Sequence, residues 1–194
     1  MMVAERVRQS EKAGLWPTPW WLSLVWGFAE ATLFFIVPDV LLCWESLGGW
    51  RRGTRALVAI IVGSLAGGLL VYGLAVIWPE SMRNAIASVP FVRGAMFVTV
   101  AADFDAQGPV GMLMGPASGI PYKIYAVLAP QSFGVLSFAI FSIPARLERL
   151  ALSWLIFALL GRWLAPVIAR HRRATAALYA LLWTGIYAYY WSRS

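Results

Sequence analysis

The chain has 194 residues, 60% of them hydrophobic and 13% charged, with a mean hydropathy of +0.70. Soluble domains are ordinarily about 45–50% apolar and about a quarter charged, so this balance excludes a soluble enzyme, a disordered tail and a nucleic-acid module. One cysteine, Cys43, excludes a disulfide framework, and one histidine, His171, argues against a histidine-built metal site. The formal charge of +7 comes mainly from arginines set between apolar runs, where membrane proteins keep them. The sequence therefore reads as an all-α, multi-pass membrane protein.

Residues 1–19 form a polar leader, cytoplasmic or interfacial, without the apolar core and cleavage site of a secretory signal. Trp16, Trp20, Trp21 and Trp26 suit the headgroup layer, where an indole buries its ring and keeps its N–H wet. Residues 56–79 carry no charge and predict a spanning helix, since a bilayer core needs about 20 residues at about 1.5 Å each. Gly63 and Gly67 within it offer close helix packing. A second span is predicted over 129–161 and a third over 174–192, with a basic cytoplasmic loop at 162–173 between them.

Two apolar regions resist a plain spanning reading. Residues 20–47 hold Glu30, Pro38, Asp39 and Glu45; residues 108–123 hold Gly111, Gly115, Pro116, Gly119 and Pro121. Irregular backbone at membrane depth survives only where protein buries it or where it lines a wet cavity. Both regions read as re-entrant hairpins, with an ordinary kinked span as the bland alternative. Charge placement favours re-entry, because the Arg51, Arg52, Arg55 loop and the Arg162–Arg173 segment then share the N-terminal side. The order becomes hairpin, span, hairpin, span and a final helix: the inverted repeat of secondary transporters, whose broken elements meet near the midplane.

Charge within a membrane costs roughly 2.5–3.5 kcal/mol per residue on insertion scales, so it is kept where it is paired or used. Glu30 and Asp39 are candidate proton-handling groups; the bland reading makes them structural ion-pair partners or a turn cap. Lys123, at the end of GPASGIPYK, is either a point charge for a phosphate or a snorkelling side chain. Arg146 and Arg149, three apart, share a helical face and fit forked recognition of a phosphate, or else pair with Glu30 or Glu148. Arg51, Arg52 and Arg55 read as topology determinants attracted to anionic lipid.

With those residues in view, the chain resembles the DedA proteins of the wider VTT group, also called SNARE-associated Golgi protein domains. The likeness runs over residues 20–161 through Glu30…Pro38-Asp39, GSLAGGLLVYGLA and GPASGIPYKIYAVLA. It implies facing re-entrant hairpins and the movement of lipids such as undecaprenyl phosphate or phospholipids, in some members at the expense of a proton gradient. Under it Glu30 and Asp39 match the family acids, and Lys123 stands where an arginine is usual. Many members carry Pro-x-Pro at the first hairpin, where this chain has Val37-Pro38-Asp39.

The expectation is thus a non-enzymatic inner-membrane transporter or flippase for an anionic, phosphate-bearing lipid, with an assembly factor or a small-solute permease as alternatives. Glu30 and Asp39 would couple protons, and Lys123, Arg146 and Arg149 would hold substrate. Pro38, Gly115, Pro116, Gly119 and Pro121 would shape the hairpins. Membrane lipids are the expected partners, a homodimer is allowed by the glycine-lined faces, and no nucleic acid, metal or cofactor is expected.

Overall fold

The computed structural model describes residues 15–192; residues 1–14 of the predicted leader and the side chain of Pro116 lie outside the described residues. The described chain is all-helical. Helices α1 (Trp20–Ala31) and α2 (Asp39–Leu47) are separated by a break at 32–38. At about 1.5 Å per residue they measure about 18 and 14 Å, too short to cross a hydrocarbon layer of about 30 Å.

Helix α3 (Trp50–Ile77) runs about 42 Å and is the one described helix long and apolar enough, by length and composition, to cross a membrane. It starts six residues before the expected span, so Arg51, Arg52 and Arg55 occupy its first turns rather than a loop. Gly49, at φ +132°, turns the chain, and no proline interrupts the helix that follows it. The two short helices both lie on α3. Gly27 and Phe28 pack beside Ile60 and Gly67, while Ser46 packs against Gly53. The chain therefore climbs along α3, reverses at 32–38 and returns to the end it left. A Cβ on Gly67 would stand 2.6 Å from the Phe28 carbonyl oxygen, so this close approach requires glycine.

Helices α4 (Pro79–Ala87) and α5 (Gly94–Gln107) fill a stretch the sequence reading leaves without elements. Phe97, Val100 and Phe104 supply the buried face of α5 at helical spacing. The second broken region is a 3-10 helix (Gly108–Met114), a single turn α6 (Gly115–Ser118), a reversal at Gly119 (φ +71°), and α7 (Tyr122–Leu128).

Boundaries here differ from expectation. The returning arm continues past Lys123 through α7 and a 3-10 turn at Ala129–Gln131, so the hairpin does not end at 123 and the next helix does not begin at 129. Pro130 and an extended Gly134 interrupt the chain, and α8 (Val135–Trp163) starts after them. Pro144 lies inside α8 without ending it. Helix α8 packs antiparallel to α3, with Phe138 against Tyr72 (ring centroids 5.3 Å apart), Leu150 with Leu57 and Ile60, and Trp154 at Gly53. Short α9 (Ala165–Arg170) occupies the basic loop, and α10 (Arg172–Trp191) closes the chain without a single buried residue.

Candidate functional site

The two reversals meet. Lys123, at the first turn of α7, is almost wholly buried and donates from Nζ to the Phe34 carbonyl oxygen at 2.6 Å. Phe34 lies in the break between α1 and α2, where carbonyls lack helical partners. The tip of one hairpin thus satisfies an orphan backbone group of the other.

Beside this contact Arg146 of α8 reaches across to α1. Its Nη2 donates to Glu30 Oε2 at 2.6 Å and to Ser64 Oγ at 2.9 Å, and its guanidinium lies 5.0 Å from the Tyr122 ring centroid. Its Nε is buried without a hydrogen-bond partner among the described residues. One turn on, Arg149 Nη2 donates to Asp39 Oδ2 at 2.8 Å, and Ser153 Oγ donates to Asp39 Oδ1 at 2.7 Å. Arg149 keeps 41% of its side chain exposed against 8% for Arg146, so the two pairs sit at different depths. Glu148 takes part in neither.

All five predicted charges line one cavity of about 670 Å³, with Gly115, Gly119 and Pro121 in its wall. Pro38 precedes α2 as its N-terminal cap residue and sets Asp39 in the first turn, facing that space. Arg93, at the start of α5, also lines it, which gives four formal positive charges against two carboxylates.

Helix α10 covers one side of the cavity, in contact with the break of the first hairpin. Tyr187 accepts a hydrogen bond from the Val37 N–H at 2.9 Å, and Tyr179 donates its hydroxyl proton to the Val40 carbonyl. Phe35 and Phe91 meet Trp191 at centroid distances of 6.0 and 5.5 Å, closing an aromatic clasp at the end of the helix. Phe91 holds a left-handed backbone at φ +70°, uncommon for a residue other than glycine.

Several participants escape the sequence reading. Ser64 sits inside the glycine packing motif, and Ser153 stands one turn after Arg149, so each carries a faint spacing signal. Arg93 and Tyr179 carry none, because they come from elements whose placement depends on tertiary packing, and Tyr187 reads from the sequence only as one of the aromatic residues closing the last span.

The chain is 28% identical over 145 residues to an uncharacterised protein of Haemophilus influenzae, covering 74% of this chain and 71% of the relative. No protein-family model matches the chain. No solved structure matches it either.

Proposed function

We propose that this chain is a multi-pass membrane protein that carries the headgroup of an anionic, phosphate-bearing lipid across the bilayer. The N-terminus would lie in the cytoplasm, on the side where the basic segments gather. One observation carries the reading: ionisable residues from four distant segments converge on a single cavity where two broken hairpins meet, with cations in excess. Charged groups at such depth are retained when they serve a pathway. The outer surface agrees, since Leu136, Ile140, Leu159 and Trp163 of α8 and Leu178 and Leu181 of α10 stand exposed, a face suited to lipid rather than water. Helix α8 is long enough for a span at about 44 Å; its charges at 146 and 149 turn inward to the cavity.

In this mechanism the phosphate enters between the hairpins while the acyl chains stay in the hydrocarbon. Arg146 Nε and the remaining protons of Lys123 offer donors that the protein leaves unused. Glu30 and Asp39 compete with the phosphate for the two arginines, and protonation of a carboxylate frees its arginine for the lipid.

Reconstituted vesicles with a headgroup-labelled phosphatidylglycerol test the proposal. The charge-neutral double variant E30Q/R146Q and the single variant R149Q should both lose translocation while eluting as folded protein. Wild-type rates in both would overturn it. The closed state of both ion pairs also suits a non-transporting assembly factor, in which they only hold helices together. That reading expects the partner swap E30R/R146E to restore full activity in cells.

A further inference from the structure

A second site lies on the opposite side of α3 from the cavity, at its basic end. Of the three arginines there, Arg52 turns inward. It holds Glu45 through two hydrogen bonds of 3.0 and 3.1 Å and reaches the Leu15 carbonyl at 2.6 Å. Arg51 and Arg55 are exposed and make no ion pair or hydrogen bond among the described residues. They are four residues apart, so they share a face of α3. Val58 and Val62 continue that same face deeper along the helix.

These four residues form one wall of a groove of about 700 Å³ between α3 and α1, flanked by Trp20 and Trp50. Val58, Val62, Trp20 and Trp50 are each more than half exposed. The stripe changes from cationic to apolar one turn below Arg55, the order in which a phospholipid presents phosphate and then acyl chain. The paired indoles belong at that boundary.

We infer that this groove binds one anionic phospholipid, its phosphate on Arg51 and Arg55 and one acyl chain along Val58 and Val62. The site anchors the base of the first hairpin to the surrounding leaflet and takes no part in translocation. The inference rests on the membrane placement of the chain but not on its transport activity.

Detergent-purified full-length protein is titrated with phosphatidylglycerol or phosphatidylcholine, and single bound lipids are counted by native mass spectrometry. Wild-type protein should retain phosphatidylglycerol in preference to phosphatidylcholine. Interfacial charge attraction of about 1 kcal/mol per arginine corresponds to about fivefold weaker binding in R51Q or R55Q, and about thirtyfold in R51Q/R55Q. R51K/R55K should keep most of the affinity, and R170Q/R173Q, which removes the same charge elsewhere, should keep all of it. Equal retention of the two lipids by the wild type, or undiminished binding by R51Q/R55Q, would overturn the inference. A chain that stays in solution without detergent or membranes would overturn the membrane placement itself, and is read separately by fractionation.

Discussion

Arg146 and Glu30 stand 116 residues apart in the chain, yet a guanidinium nitrogen of one lies 2.6 Å from a carboxylate oxygen of the other. Both side chains are more than nine-tenths buried. Removing one partner of such a pair leaves a buried charge uncompensated, at a cost of about 3–5 kcal/mol. Unfolding in detergent should show E30Q or R146Q destabilised by about that much. The double variant E30Q/R146Q should recover more than half the loss. A loss in the double variant equal to the sum of the two single losses would mean that the pair is energetically silent.

Lys123 makes a different prediction, because its bond is to backbone. Losing a hydrogen bond to a charged donor costs about 1.5–3 kcal/mol, so K123M should speed exchange of the amides in 32–38 roughly tenfold to a hundredfold. Amides in the middle of α3 should keep their wild-type protection. Hydrogen-exchange mass spectrometry on the same preparation reads both regions.

The lone cysteine reports on α10. Cys43 is buried on the cavity wall, close to the strip that Tyr179 and Tyr187 hold. Two hydrogen bonds at about 1 kcal/mol each correspond to roughly thirtyfold in an opening equilibrium. Y179F/Y187F should therefore raise the rate of maleimide labelling at Cys43 by about that factor. An unchanged rate would show that α10 does not limit entry.

Glycines of α3 should divide sharply. A methyl on Gly67 would meet the Phe28 carbonyl at 2.6 Å, whereas one on Gly73 would meet nothing within 4 Å. G67A should cost about 1–3 kcal/mol through overpacking. G73A should be neutral, or stabilise by up to about 1 kcal/mol through helix propensity. Thermal unfolding of the two variants side by side checks the contrast.

Much of this was legible in the residues. Glu30, Asp39, Lys123, Arg146 and Arg149 stood out because charge in an apolar run needs a reason, and the density of Gly and Pro marked both breaks. The pairing scheme was legible only in part, since a pair with Glu30 was one option for the two arginines. Asp39 could as well have capped a turn, and nothing in the spacing selects Arg149 over Arg146 as its partner. The second hairpin runs longer than expected because its returning arm continues past Lys123; Pro130 and Gly134, seven and eleven residues on, set its limit. Helix α5 leaves a weak sequence signal because its buried stripe is only Phe97, Val100 and Phe104, and Asp103 and Asp105 interrupt its apolar run.

The long span of sequence between Glu30 and its arginine also sets an order of assembly. Ribosomes add about 5–20 residues per second, so the carboxylate emerges about 6–23 s before Arg146 exists to meet it. Through that interval Glu30 has no arginine to meet, so a chain halted before α8 leaves this carboxylate without the partner that it holds in the folded protein.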